Sequence, residues 1–195
     1  MILGLIFVGC KQKNVSKASN DNNKDKIQDL IRKTLIWADS QNTIDLLPAI
    51  ADNHDSLYIG FNFDVLRLNL KKLKETNFFS NEFIDNYNRI ILTLDKKIKN
   101  KEFDGWLKGE IQPFGFANDF NPWCYCQEIP DNNPWKRVEI NIIKLDNAKG
   151  ELTWKWAKSD WSDNFKYKFM VVKKDGRWEI AYMQGFDYNE SIKKD

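Results

Sequence analysis

The apolar residues of this chain change period partway along it, from the helical repeat to the strand repeat, and that switch narrows the fold class to α+β. Ile27, Leu30, Ile31, Thr34, Leu35 and Ala38 recur at i, i+3, i+4, i+7, i+8 and i+11, one face of an α-helix, with Asn22 or Asn23 as its expected N-cap. A short helix or turn is expected over Thr43 to Ile50, limited by Pro48. A short strand follows over Tyr58 to Phe63, and a further helix over Val65 to Glu75. Ser80 is placed to cap the longest helix, whose stripe is Phe83, Ile84, Tyr87, Ile91, Leu94 and Ile98; Glu82 and Asp85 suit its positive end.

Beyond the middle of the chain the pattern alternates. Val138, Ile140 and Ile142 form one run, and Leu152, Trp154 and Trp156 a second. Phe165, Tyr167, Phe169 and Val171 form a third, and Trp178, Ile180 and Tyr182 a fourth. Lys174-Asp175-Gly176 is a hairpin signal between the last two. Helices first and an antiparallel meander afterwards predict helices packed on one face of a curved sheet.

The amino-terminal end is different in kind. Met1 to Gly9 is an uncharged apolar run, the length of a signal-peptide core and far short of the roughly 20 residues that span a bilayer. Lys11 to Asn23 is Lys, Gln, Asn, Ser, Asp and Ala around a single Val15. Such a segment buries too little to offset its ordering entropy, so residues 10–23 are expected to be a flexible tether. Residues 24–195 are then one domain's worth of chain.

Composition closes off several function classes. Thirty basic residues against 28 acidic ones leave a net charge of +2, which gives no electrostatic footprint for nucleic acid. Eight Trp point to a heavily aromatic core or an aromatic-lined cleft. Of three cysteines, Cys124 and Cys126 lie two apart, and no multi-bridge framework exists. No cofactor motif is present.

Phe7-Val8-Gly9-Cys10 resembles the lipobox of bacterial lipoproteins, with Phe7 where Leu is usual. The resemblance implies cleavage before Cys10, acylation of its sulfur and attachment to a lipid membrane. With Lys rather than Asp at position 11 it implies the outer membrane, facing the periplasm. Stable anchoring takes more than one acyl chain, and such lipoproteins carry three.

The ending Lys173-Lys-Asp-Gly-Arg-Trp-Glu-Ile-Ala-Tyr-Met-Gln-Gly185 resembles the closing hairpin of the NTF2-like (cystatin-like, cone-shaped) superfamily. More narrowly, the chain from Lys24 to Asp187 looks like an uncharacterised family of Bacteroidetes lipoproteins assigned to that superfamily. Thr76-Asn-Phe-Phe-Ser80 and Asn121-Pro-Trp-Cys-Tyr-Cys-Gln127 carry that likeness. It implies a cone with a pocket between sheet and helices, and frequent homodimers. It implies no activity.

Several constellations are candidates for chemistry. Some enzymes of the superfamily, such as steroid isomerases, set a carboxylate base and a Tyr donor in an apolar pocket. Asp119 or Asp104 with Tyr58 or Tyr182 are the corresponding residues here, but none matches that enzyme motif, and an Asp in a polar loop is usually a turn residue. His54, the only histidine, stands beside Asp52, Asn53 and Asp55 and reads as an exposed turn. Cys124 and Cys126 are too few ligands for a metal site. A bridge between residues two apart is a tight, reducible one, and two small buried thiols on a short strand fit the alternation of Trp123 and Tyr125 better. Asp119-Phe-Asn-Pro-Trp123 and Asp131-Asn-Asn-Pro-Trp135 repeat; they lack a calcium loop's spacing and read as duplicated turns, each Trp tucked onto the sheet.

No catalytic residue is singled out. The expectation is a membrane-anchored, non-enzymatic binding module for a small apolar ligand or an envelope protein. Its surface would be an aromatic-lined pocket with the 105–134 loop, built from Tyr58, Asp119, Trp123, Tyr125, Trp154, Trp156 and Tyr182. Trp161, between Asp160 and Asp163, is expected on a hairpin tip. An envelope immunity or inhibitor protein is one alternative; a small isomerase or dehydratase using a pocket carboxylate is another.

Overall fold

A computed structural model describes residues 13–40, 43–54, 56–127, 129, 134–156 and 166–194, with side chains from Asn22 onward. Cys10, the apolar run before it, Asp131, Trp161 and Phe165 lie outside the described residues.

The architecture is α+β, with two antiparallel sheets. Helix α1 (Lys13–Ala38) leads to a two-stranded sheet, β1 (Ala49–Ala51) with β2 (Tyr58–Phe61). Helices α2 (Phe63–Thr76) and α3 (Asn81–Lys99) follow, and then a long stretch whose described residues, 100–127 and 129, form no regular element. The chain closes with a four-stranded meander, β3 (Val138–Leu145), β4 (Lys149–Trp156), β5 (Tyr167–Lys174) and β6 (Arg177–Met183), and a one-turn helix α4 (Tyr188–Ser191). Helix α1 lies across β3 and β6, and α3 against β2 and β6.

The local signals explain these elements. All six residues of the first helical stripe are buried, Ile27, Ile31, Thr34 and Leu35 completely. Ser80 caps α3, its hydroxyl oxygen accepting from the Phe83 N–H at 3.4 Å. Asn62 caps α2 by accepting from Asp64 and Val65. The Asp175-Gly176 turn has φ of 49° and 80°, the doubly left-handed geometry that matches strand twist in a two-residue hairpin.

Three expectations need correction. Asn22 and Asn23 do not cap α1; the helix begins at Lys13, where composition predicted a tether. Once a docked helix is nucleated, extending it costs little. Asn23 is itself buried, its side-chain oxygen accepting from the Trp178 Nε1–H at 3.2 Å. Second, of the helix or turn expected over Thr43 to Ile50 no helix forms; the segment is made of bends that run into β1.

The third correction concerns β6. Its register with β5 slips, Val171 facing Ile180 but Met170 facing Tyr182, so Ala181 is a bulge residue. A bulge turns every later side chain to the opposite face. Met183 thereby joins Trp178 and Ile180 on the buried face, while Tyr182 points outward beside the exposed Met170.

That buried face is filled. Leu152, Trp154, Tyr167, Phe169 and Val171 have no exposure at all, and Trp156 has 3%. Trp154 stacks on Tyr167 at 5.3 Å and meets Trp156 edge-on at 5.1 Å. The free edge of the sheet is also covered. The Gln28 side chain donates to the Val138 carbonyl at 2.6 Å and accepts from the Ile140 N–H at 2.9 Å, standing in for a neighbouring strand's peptide. Arg32 donates twice to the same carbonyl, so α1 blunts an edge that would otherwise pair.

Candidate functional site

Where the inner sheet face is packed solid, the outward Tyr182 opens onto a cleft of about 500 Å3. One wall is the loop from Gly115 to Tyr125; the other is the carboxyl-terminal segment from Gln184 to Lys194. The walls are joined by backbone. Phe114 bridges Lys194, the Gly115 N–H donates to the Lys193 carbonyl at 3.1 Å, and the Phe116 N–H donates to the Ser191 carbonyl at 3.0 Å.

Two glycines make this approach feasible. A Cβ at Gly115 would stand 2.2 Å from the Glu190 carbonyl oxygen, and one at Gly185 would stand 2.0 Å from that of Pro122. Neither overlap is with a flexible side chain that could swing aside. Beneath Gly185 the wholly buried Tyr167 ties the walls together: its hydroxyl donates to the Pro122 carbonyl at 2.7 Å and accepts from the Gly185 N–H at 3.0 Å. Burial holds that phenol well above its ordinary pKa, so it stays a neutral donor.

The loop wall carries local strain. Ala117, Asp119 and Tyr125 have φ of 56°, 52° and 55°, a left-handed region that non-glycine residues avoid. Such residues persist only where surroundings over-determine them. Here the supports are explicit: Gln127 donates to Asp119 at 2.8 Å, Phe120 and Tyr125 pair their rings at 4.2 Å, and the Tyr125 N–H donates to the Asn121 carbonyl at 2.7 Å.

Electrostatically the cleft mixes three carboxylates, Asp119, Asp187 and Glu190, with two cations that are already paired. Lys193 meets Glu190 at 2.6 Å and Lys194 meets Asp104 at 3.0 Å. The Tyr182 hydroxyl donates to Asp187 at 3.2 Å. Burial, and next the Asp187 charge, push this phenol up to about 12. A raised folded-state value stabilises the protonated form, so its contribution to stability is complete below the ordinary 10 and lost as pH climbs to 12. Asp187→Asn keeps the helix-capping oxygen and removes the charge. Ultraviolet titration of that variant is expected to show Tyr182 ionising at lower pH than in the parent, yet still above 10, because burial is the larger cause.

The structure therefore brings together Asp119, Tyr125 and Tyr182 of the seven residues singled out in the sequence. Tyr58 is elsewhere, in a groove of about 460 Å3 against Trp106, their rings 4.3 Å apart. Trp123, Trp154 and Trp156 line no opening: at 2%, 0% and 3% exposure they are core. Trp123 packs on Phe186 at 4.5 Å, pinning its turn to the body, and Trp135 packs on Trp156 at 5.1 Å. The aromatic stripe is thus filling, because the helices close directly onto it.

The short strand expected around the cysteines is absent. Left-handed Tyr125 reverses the chain, and Cys124 and Cys126 are joined in a disulfide with Cα atoms 5.2 Å apart. Both sulfurs are thereby used. Among the described residues no group of three His, Cys, Asp or Glu converges as a metal site.

An isomerase-type arrangement finds little support here. Asp119 is exposed and bonded to Gln127; Asp104 stands at the mostly apolar Tyr58 groove, but its carboxylate is exposed and paired with Lys194 rather than buried in it. Among the described residues the buried carboxylates are Asp95 and Glu179. The first is committed to the Phe61 N–H and Lys99, the second to Arg177. His54 is an exposed turn residue, and Asp52 beside it accepts from the Ser56 and Leu57 N–H groups, which lowers its pKa.

Phe120, Gln184, Asp187, Glu190 and the two terminal lysines escaped the sequence reading. Their only advance signal is the pair Gly115 and Gly185, each beside a Phe. The chain matches no protein-family model, no curated protein and no solved structure.

Proposed function

We propose that this chain is a non-enzymatic binding lipoprotein of the bacterial envelope, anchored through acylated Cys10, whose recognition site is the cleft between the Gly115–Gln127 loop and the carboxyl-terminal segment. The observation that carries the reading is the contrast between a filled sheet face and a rigidly built external cleft. A pre-organised concavity lowers the ordering cost of binding.

Its lining selects a polar ligand rather than an apolar one. Carboxylates accept hydrogen bonds from hydroxyl or ammonium groups, and the Phe120, Tyr125 and Tyr182 rings offer faces to C–H groups or cations. A ligand bearing several hydroxyl or ammonium donors around an apolar face fits that set. The anchor rests on the apolar Met1–Gly9 run ahead of Cys10. The NTF2-like cone rests on helices α1 and α3 packed across a four-stranded antiparallel meander that ends in the Asp175-Gly176 hairpin.

Native mass spectrometry of the protein purified from its own membranes tests this. The expected spectrum is an acylated chain starting at Cys10 with an additional mass that leaves on mild denaturation. Tyr125→Ala removes an exposed ring, and it is expected to weaken affinity by about tenfold or more, the equivalent of roughly 1.4 kcal/mol, and so to lower occupancy. An unacylated chain retaining Met1 would contradict the anchor. Undiminished occupancy in Tyr125→Ala would contradict the site.

A further inference from the structure

We propose that the Cys124–Cys126 bridge is a thiol–disulfide exchange site, entered at Cys126, and that its reduction by a dithiol releases Tyr125 and remodels the loop wall of the cleft. The exchange chemistry stands on the bridge itself; its consequence for recognition rests on the cleft being the binding site.

A cross-link stabilises a fold in proportion to the logarithm of the loop it closes. This one encloses only Tyr125, the smallest such contribution, so global stability gives little reason for it. What it does enclose is a residue at φ 55°, whose ring forms part of the cleft and pairs with Phe120 at 4.2 Å. The bridge thus helps to hold a backbone conformation that Tyr would not choose. One residue beyond it, Gln127 holds Asp119 at 2.8 Å, so both polar and aromatic features of that wall depend on this turn.

The two sulfurs are not equivalent. Cys124 is wholly buried, whereas Cys126 is half-buried and reachable. Exchange rates depend on access and on which sulfur is attacked. A dithiol's thiolate therefore attacks Cys126 Sγ, the S–S bond breaks, and the electron pair passes to Cys124 Sγ, which takes a proton. That new thiol lies 3.8 Å from the Asn121 carbonyl, an acceptor already in place. The reagent's second thiolate then attacks its own sulfur in the mixed disulfide and releases Cys126, which is protonated in turn. Two electrons and two protons move to the protein, and the dithiol leaves as a disulfide.

Change is confined by what flanks the turn. Pro122 is clamped by Tyr167, and Trp123 is fixed among Trp37, Phe79 and Phe186. Release of the bridge leaves these two anchors in place and frees residues 124–127 and, through the loss of the Gln127 bond, the left-handed turn around Asp119.

The test is titration of the native full chain with dithiothreitol, quenched with N-ethylmaleimide and read by peptide mass mapping, with hydrogen exchange recorded on the oxidised and reduced forms. The expected result is reduction without denaturant, alkylation of Cys126 about tenfold or more faster than Cys124, and faster amide exchange in 118–127 but not in β3–β6. Cys126→Ser, which lacks the bridge permanently, is expected to reproduce the exchange pattern of the reduced form. A bridge that survives until the chain unfolds would overturn the proposal, and so would reduction that leaves exchange in 118–127 unchanged. If reduction frees the loop while the bound mass stays, the exchange site stands and the cleft's reading as the binding site fails.

Discussion

Trp154→Ala is expected to lower the unfolding free energy by about 3–5 kcal/mol, because a fully buried indole leaves a cavity that its neighbours only partly close. Trp154 has no exposed surface and is bounded by Tyr167 on one side and Trp156 on another. At roughly 2–4 °C per kcal/mol for a chain this long, the melting temperature should fall by about 10 °C. Occupancy of the external cleft, measured well below that temperature, should not change. A loss under about 1 kcal/mol, the size expected of a surface substitution, would mean that the sheet face is not sealed. An aromatic-lined interior pocket would then return as the better reading.

Gly185→Ala is the second large effect, and it separates the cleft from the core. The added methyl would stand 2.0 Å from the Pro122 carbonyl oxygen, so one wall must move away from the other. Forced overpacking of this sort costs about 1–3 kcal/mol, and here it also breaks the Tyr167 clamp, so the upper end is expected. Tyr167→Phe removes the same clamp's hydroxyl without adding an atom, leaving the Pro122 carbonyl and Gly185 N–H without that partner. It should cost about 1–2 kcal/mol and loosen the cleft without splitting it. Chemical denaturation of both variants, with ligand occupancy read in parallel, gives the comparison. Equal occupancy in Gly185→Ala and parent would show that wall-to-wall contact is irrelevant to binding.

Much of the fold was legible because its signals are local. The Ile27 to Ala38 stripe, the Ser80 cap and the Asp175-Gly176 turn each act within a few residues, and each appears where periodicity and turn chemistry place it. The bulge at Ala181 was not legible, since alternation carries no mark of an inserted residue, and one insertion carried Tyr182 to the other face. Nor does the sequence distinguish a Trp that lines an opening from one that fills it. That depends on how closely α1 and α3 approach the sheet. The helical stretch before Asn23 shows the reverse problem: a polar composition reads as tether, while the helix continues through it from the part of α1 that a long-range bond between Asn23 and Trp178 anchors. The cleft was half visible. Asp119 and Tyr125 stood out as loop residues, but their partners across the opening lie past the last strand. The Phe114–Lys194 bridge, the backbone bonds of Gly115 and Phe116, the Tyr167 clamp and the two glycine contacts bring them together, all of them long-range.

The central claim is that recognition occurs on the external cleft rather than inside the sheet. Hydrogen exchange read by mass spectrometry, on protein carrying its native ligand and on the same protein stripped of it, tests this most directly. The account predicts that ligand removal raises exchange in residues 114–127 and 182–194 and leaves β4 and β5 unchanged. Deprotection of β4 and β5, or of the Tyr58 and Trp106 groove alone, would contradict it.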